Sequence, residues 1–480
     1  MGWFSASGYW LGRLVFLRAL AVIYVVAFLV AANQFRPLLG DDGILPIRRF
    51  VNAVRFRRSP SIFHAHYSDR FFLAVAWCGA ALAAALVVGI ADVVPLWASM
   101  LLWLAAWALY LSIVNVGQTW YGFGWESLLV ETGFLAVFMG NDHVAPPVLV
   151  LWLVRWLLFR VEFGAGLIKL RGDPCWRDLT CLYYHHETQP MPGPFSWRFH
   201  HLPKVLHRVE VAANHVAQLG APVLLFAPQP VASVAAVVVI VTQSWLVLSG
   251  NFSWLNVITI TLAVPALAHG VLHAVVPLAA PGMHAAPGWF EGVVIAATAL
   301  IAALSYGPAR NLLSRRQRMN ASFEPLRLVN TYGAFGSITR VRHEVIVEGT
   351  NAASLTPDAV WREYEFKAKP GDVNRRPPQF APYHLRLDWL MWFAGLSPSY
   401  ASDWFMPLVL HLLRNDRPTL KLLRSNPFPD VPPAFVRARL YEYRFTTVEE
   451  RRATGAWWHR TLVAPYLDPI SLRSTDTARR

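Results

Sequence analysis

The sequence predicts an α-helical multi-pass membrane bundle followed by a C-terminal α+β, β-rich soluble domain. Three observations carry that expectation. Charged residues make up 15% of the chain and hydrophobic ones 55%, with a mean hydropathy of +0.36; soluble proteins carry about 25% charged residues. Apolar runs of spanning length recur up to Tyr306 and stop there. Beyond that point alternating strand-like segments and Pro-rich joints take over. The 21 Trp and 34 Pro suit interfacial anchors and broken helices.

In chain order, a short aromatic lead-in precedes a first span at about 11–32, which carries Arg13 and Arg18 and so must snorkel them or face them to protein. It lacks a small-residue cleavage site and is expected to stay as a membrane helix. A basic stretch at 34–70 contains the turn chemistry GDDGILP. Apolar runs follow at about 71–91, 96–115, 123–139 and 146–168, then 211–227, 231–249, 253–276 and 289–306, giving roughly nine spans. SGNFSW (Ser249–Trp254) reads as a tight turn. The bundle therefore occupies 1–306, including a polar loop at 169–210. A soluble domain occupies 307–470, and 471–480 reads as a disordered tail. Its expected strands are Leu326–Ala334, Glu344–Glu348, Trp361–Ala368 and Phe435–Phe445, and its helices Leu385–Leu396 and Trp404–Leu413.

The net charge of +14 is mostly Arg between apolar runs. No basic face on a soluble fold accompanies it, so topology control and contact with anionic membrane lipids explain it and nucleic-acid binding is not expected. Cys78, Cys175 and Cys181 make no disulfide framework. Cys175 and Cys181 fit either a bridge in an oxidising compartment or two buried thiols.

Glu126 and Glu131 fall inside an apolar run, about 140° apart on a helix, so they do not form one paired-carboxylate site. Arg155, Glu162 and Lys169 share one helical face at seven-residue spacing, with Arg160 off that stripe. The stripe reads as a polar track or, more simply, as a face seeking partners such as Glu126 or Glu131. His185, His186, His200, His201 and His207 crowd one region without any zinc spacing frame, so no metal and no cofactor is expected. No nucleophile elbow, phosphate loop or dinucleotide fingerprint is present. A large asymmetric soluble domain argues against a transporter built from inverted repeats.

The polar segment GAGLIKLRGDPCWRDLTCLYYHHETQPMP, starting at Gly164, is too polar for lipid and too aromatic for a linker. It resembles the signature region of the lipase maturation factor family. FGWESLLVETGFLAVF (Phe123–Phe138), YEFKAKPGDVNRRPPQFAPYHLRLDWLMWFAGLS (Tyr364–Ser397) and NPFPDVPPAFVRARLYEYRF (Asn426–Phe445) extend the resemblance over nearly the whole chain. The resemblance implies a chaperone-like factor that assists secreted lipase-type clients and catalyses nothing itself. Its signature loop would include Lys169, Arg171, Gly172, Asp173, Cys175, Trp176, Arg177, Asp178, His185, Glu187 and Gln189. Its intramembrane charges would be Glu126, Glu131, Arg155 and Glu162. A client-facing domain would present Asp372, Asn374, Arg375, Arg376, Trp389 and Trp392. Eukaryotic members reside in the endoplasmic reticulum; the Ala-, Val- and Arg-rich composition here points to a bacterial plasma membrane. A distant likeness to the vitamin K-dependent carboxylase group keeps an enzyme using the buried charges as the alternative. One conflict stands out. The basic segments 33–70, 164–210 and 307–480 share one side, which charge places in the cytoplasm and the resemblance places outside it.

Overall fold

The computed structural model describes residues 3–472; the expected tail at 471–480 lies almost wholly outside them. Among the described residues, five helices are long and apolar enough to cross a membrane: Ser7–Leu39, Asp69–Val88, Leu96–Val116, Val231–Ser249 and Gly288–Leu313. We label the main helices α1 (Trp10–Leu39), α2 (Asp69–Val88), α3 (Leu96–Val116), α4 (Gly124–Ala136) and α5 (Val148–Arg171). They continue as α6 (Leu182–Thr188), α7 (Lys204–His215), α8 (Val231–Ser249), α9 (Leu255–Ala263) and α10 (Gly288–Leu304).

The other apolar runs give shorter or more polar helices. The run at 123–139 becomes α4, which has 13 residues and is buried almost throughout. The run at 211–227 breaks at a π-helical turn, Val216–Gly220, and that at 253–276 breaks after Ala266. Helix α5 has 24 residues but buries Arg155, Arg160, Glu162 and Lys169.

Local chemistry sets the helix ends. Ser68 caps α2 by accepting from the Phe71 N–H, and Gly89, at φ +97°, ends it in the left-handed conformation open to glycine. Gly79 brings α2 against α1, because a Cβ there would lie 2.3 Å from the Phe28 ring. Arg13 and Arg18 of α1 both face protein. Arg13 meets the Val144 carbonyl at 2.5 Å and Asp142 at 3.3 Å, and Arg18 pairs with Asp92.

At one end of the bundle the chain packs against its own C-terminal domain. Gln34 donates to the His384 carbonyl (2.7 Å), Asn115 to the Pro325 carbonyl (3.1 Å) and Asn251 to the Pro378 carbonyl (2.9 Å). That domain has an antiparallel sheet in the order β2-β1-β5-β6, built from β1 (Arg342–Thr350), β2 (Arg362–Glu363), β5 (Phe435–Phe445) and β6 (Trp458–Ile470). Val345 pairs with Leu440, and Leu440 with Ala464. A second pair joins β3 (Glu365–Phe366) to β4 (Leu423–Ser425). Helices α11 (Arg386–Leu396) and α12 (Phe405–Leu413) lie within one residue of expectation. One large cluster of buried apolar residues runs from Phe4 in the bundle to Ala438 in the sheet, with two smaller ones around Trp176 and around Trp458.

Three departures from expectation stand here; the first is that Trp361–Ala368 is no single strand but splits into β2 and β3, which belong to different sheets. Leu326–Ala334 forms no strand: the Asn330 N–H bonds to the Glu131 side chain (3.0 Å) rather than to a neighbouring strand. Strand β6 was not anticipated, because Pro465 and Pro469 interrupt its pattern; both are tolerated on an edge strand.

Candidate functional site: the polar segment and its seam with the sheet

The polar segment begins where α5 ends and is fixed residue by residue. Gly172 meets a second backbone: a Cβ would lie 2.1 Å from the Gly336 carbonyl oxygen, so only glycine fits. Asp173 accepts from the Cys175 N–H (3.0 Å), capping the helical turn Pro174–Arg177, and pairs with Arg340 at 2.8 Å. The Arg340 guanidinium holds its carboxyl below the usual range. Cys175 and Cys181 are joined in a disulfide and packed with Trp176 and Leu182. Trp176 donates to the Phe335 carbonyl (2.8 Å). Arg171 donates to the Leu312 carbonyl (2.9 Å) and Gln317 (3.0 Å), while Arg177 and Asp178 are exposed.

Lys169 is buried and gives its ammonium to two amide oxygens, Asn214 (2.9 Å) and Gln218 (2.8 Å), over the Trp176 ring at 4.8 Å. The π-helical turn after α7 carries Gln218. Glu162 accepts from Gln243 (2.6 Å), and Arg155 lies over Tyr9 and Trp152. The expected partnership of this stripe with Glu126 or Glu131 therefore fails. Glu131 pairs instead with Arg160, the residue off the stripe, and accepts from Tyr332 (2.7 Å) and Asn330 (2.9 Å). Glu126 pairs with Arg386 at 2.8 Å and accepts from Tyr110 at 2.5 Å, with His384 3.5 Å away. Both carboxylates are spent on partners and face different neighbours, as their separation around the helix requires.

The second half of the segment is bound to the sheet. Arg342 of β1 donates to the carbonyls of Glu187 (3.0 Å), Gln189 (2.5 Å) and Pro190 (3.0 Å). Its charge is balanced by Glu344 at 2.6 Å, which Lys369 also meets at 3.0 Å, all three within 1% of full burial. The Glu187 carboxylate accepts from the Phe445 N–H at 2.7 Å, and burial raises its pKa. Gln189 donates to Ser196 (3.0 Å) and the Ser249 carbonyl (2.9 Å). His185 is buried edge-on to Phe335 at 4.8 Å, and burial pushes its imidazole down to about 3.

The residues expected to face a client divide. Asp372 and Asn374 are exposed and form a local turn (2.9 Å). Arg376 is exposed and donates to the Pro194 carbonyl at 3.0 Å. Arg375 turns inward to the Phe366 carbonyl (2.8 Å), and Trp392 reaches the Thr188 carbonyl (3.3 Å). Trp389 is 3% exposed and meets Trp125 edge-to-face at 4.9 Å, so it is part of the bundle contact and not a client surface.

Sequence spacing offered no metal frame, yet the fold gathers His186, His207 and Glu210. Arg342, Glu344, Lys369 and Arg386 were also missed as seam residues. Their only signal was charge inside otherwise apolar strand and helix patterns.

One family model, the lipase maturation factor transmembrane domain, matches residues 11–274, and a second, the lipase maturation factor C-terminal domain, matches 328–468. The chain belongs to the lipase maturation factor family. It is 42% identical to human lipase maturation factor 1 over 97% of this chain and 88% of that protein. Bovine lipase maturation factor 1 is 42% identical over 99% and 92%. Human lipase maturation factor 2 is 30% identical over 97% and 83%. No solved structure matches this member of the family.

Proposed function

We propose that this family member is a membrane-bound maturation factor for secreted lipase-type clients, with no reaction of its own, and that its C-terminal domain meets the client outside the cytoplasm. The observation carrying the reading is the full-length likeness to proteins named for lipase maturation, which spans both matched domains. The buried charges support it: Glu126, Glu131 and Glu162 are each engaged by protein partners, so none stands free as an acid or base.

The disulfide supports the side. Bridges persist in oxidising compartments. Cys175–Cys181 lies at the bundle end that carries the C-terminal sheet, because the segment continuing from it is bound through Arg342 and Glu187. We weigh it above the basic charge of the same segments: the positive-inside rule weakens for the 307–480 domain, although it still applies to the shorter 33–70 segment. The exposed turn at Asp372 and Asn374 would then face the client compartment of a bacterial plasma membrane.

Reporters fused after residue 480 and inserted between residues 54 and 58 test the side. Activity outside the cytoplasm at both positions is expected. Cytoplasmic signal at both would separate the domain from any secreted client and overturn the reading. Secreted lipase activity, measured with and without this chain in the same host, tests the client class.

A further inference from the structure

Besides the disulfide, the polar segment contains a second group of chemistry-bearing side chains. His186 lies on α6, while His207 and Glu210 lie three residues apart on one face of α7. One ring nitrogen from each histidine and one carboxylate oxygen lie within 4.8 Å of one another.

Each side chain has bonding capacity that no protein group uses. His186 is 1% exposed, and both of its ring nitrogens lack a hydrogen-bond partner. Buried polar atoms in that state are rare and call for an explanation. A pair with Glu210 does not supply one, because the nearest approach, 4.0 Å, exceeds a hydrogen bond. His207 holds the His200 carbonyl with Nε2 at 3.3 Å, leaving Nδ1 buried and unpartnered. That is the outer-shell arrangement of a metal-ligating histidine, in which a backbone carbonyl fixes the tautomer. Glu210 is oriented the same way: its Oε1 accepts from Trp245 at 2.6 Å, and its Oε2 faces His186 Nε2.

We propose that His186, His207 and Glu210 form a binding site for a zinc-class divalent cation at the join of α6 and α7. Two imidazoles and one carboxylate are a borderline donor set that suits zinc. Ligand atoms around zinc lie about 3.3 Å apart, so binding draws the three side chains inward by about 1 Å. The cation satisfies the orphaned His186 nitrogen and compensates the partly buried Glu210 carboxylate. A fourth position remains for water on the Glu210 side, where that side chain is 20% exposed. The other group with ligand chemistry among the described residues, Asp173 with Cys175 and Cys181, is already spent on the disulfide, the helix cap and Arg340. The metal ties α6 to α7 and so braces the segment that carries the seam.

The test uses the full chain in detergent, stripped with a chelator and titrated with Zn²⁺, with Co²⁺ absorption as a second readout. About one equivalent per chain is expected, with a tetrahedral cobalt spectrum and a raised Tm. His186→Gln and Glu210→Gln are expected to weaken zinc binding at least 10–100-fold and to abolish the Tm rise. His201→Ala, on an exposed neighbour outside the group, should leave binding unchanged. The wild-type titration stands even where a variant fails to fold. Absence of stoichiometric zinc in the wild type, or full binding retained in both ligand variants, overturns the site.

Discussion

Helices α8 and α10 leave Val234, Val241, Leu248 and Ile295 exposed, whereas the seam buries Glu126, Arg342, Glu344, Lys369 and Arg386 almost completely. On the outer helices no water competes with lipid, so one apolar side chain substitutes for another at little cost. At the seam every charge has a named partner, and removing one leaves the other desolvated and unpaired. The bundle thus tolerates change where it meets lipid and resists it where it meets its own C-terminal domain.

The contrast breaks most sharply at Glu344. Glu344→Ala strands both Arg342 and Lys369, and a loss of about 3–5 kcal/mol is expected, read as a fall in detergent Tm or in steady-state level. Gly172→Ala comes next. Its methyl group would collide with the Gly336 carbonyl, costing about 1–3 kcal/mol and opening the polar segment to limited proteolysis.

A more gradual effect is expected from pH. Burial, then the Arg386 charge, lowers the His384 imidazole to about 4. Between about pH 6.5 and 4 the unfolded chain therefore holds a proton that the folded chain lacks. His384's contribution is complete above pH 6.5 and is lost as pH falls toward 4. His384→Gln should flatten that part of the Tm–pH curve; an unchanged slope would remove His384 as its source. The smallest effect sharpens the other side of the comparison: Val241→Leu should move Tm by no more than about 0.5 kcal/mol equivalent.

These differences also explain what was legible. Strand β5 could be read to the residue, Phe435–Phe445, because alternation survives where one face packs and the other is polar. The long spans were legible from length and composition, and α4 was mistaken for another because a helix buried in protein is as apolar as one in lipid. Leu326–Ala334 looked like a strand, but its Tyr332 hydroxyl serves Glu131 and its Asn330 carbonyl serves Arg160, partners about 170–200 residues away. The lone partners of the buried charges were illegible for the same reason. Nothing in the spacing of Arg155, Glu162 and Lys169 shows that Arg160 would take Glu131, or that two amides would take Lys169.

The ion pair between Glu126 and Arg386 also has a consequence in time. The two residues are separated by roughly 260 positions, and at synthesis rates of about 5–20 residues per second the carboxyl waits on the order of 10 to 50 s for its guanidinium. During that interval α4 must hold Glu126 protonated, hydrated or beside Tyr110 alone. The nascent bundle is therefore incomplete until residues far beyond its last helix have been translated. A chain interrupted before Arg386 would hold an uncompensated acid in its core, a mark by which quality control could tell a partial molecule from a finished one.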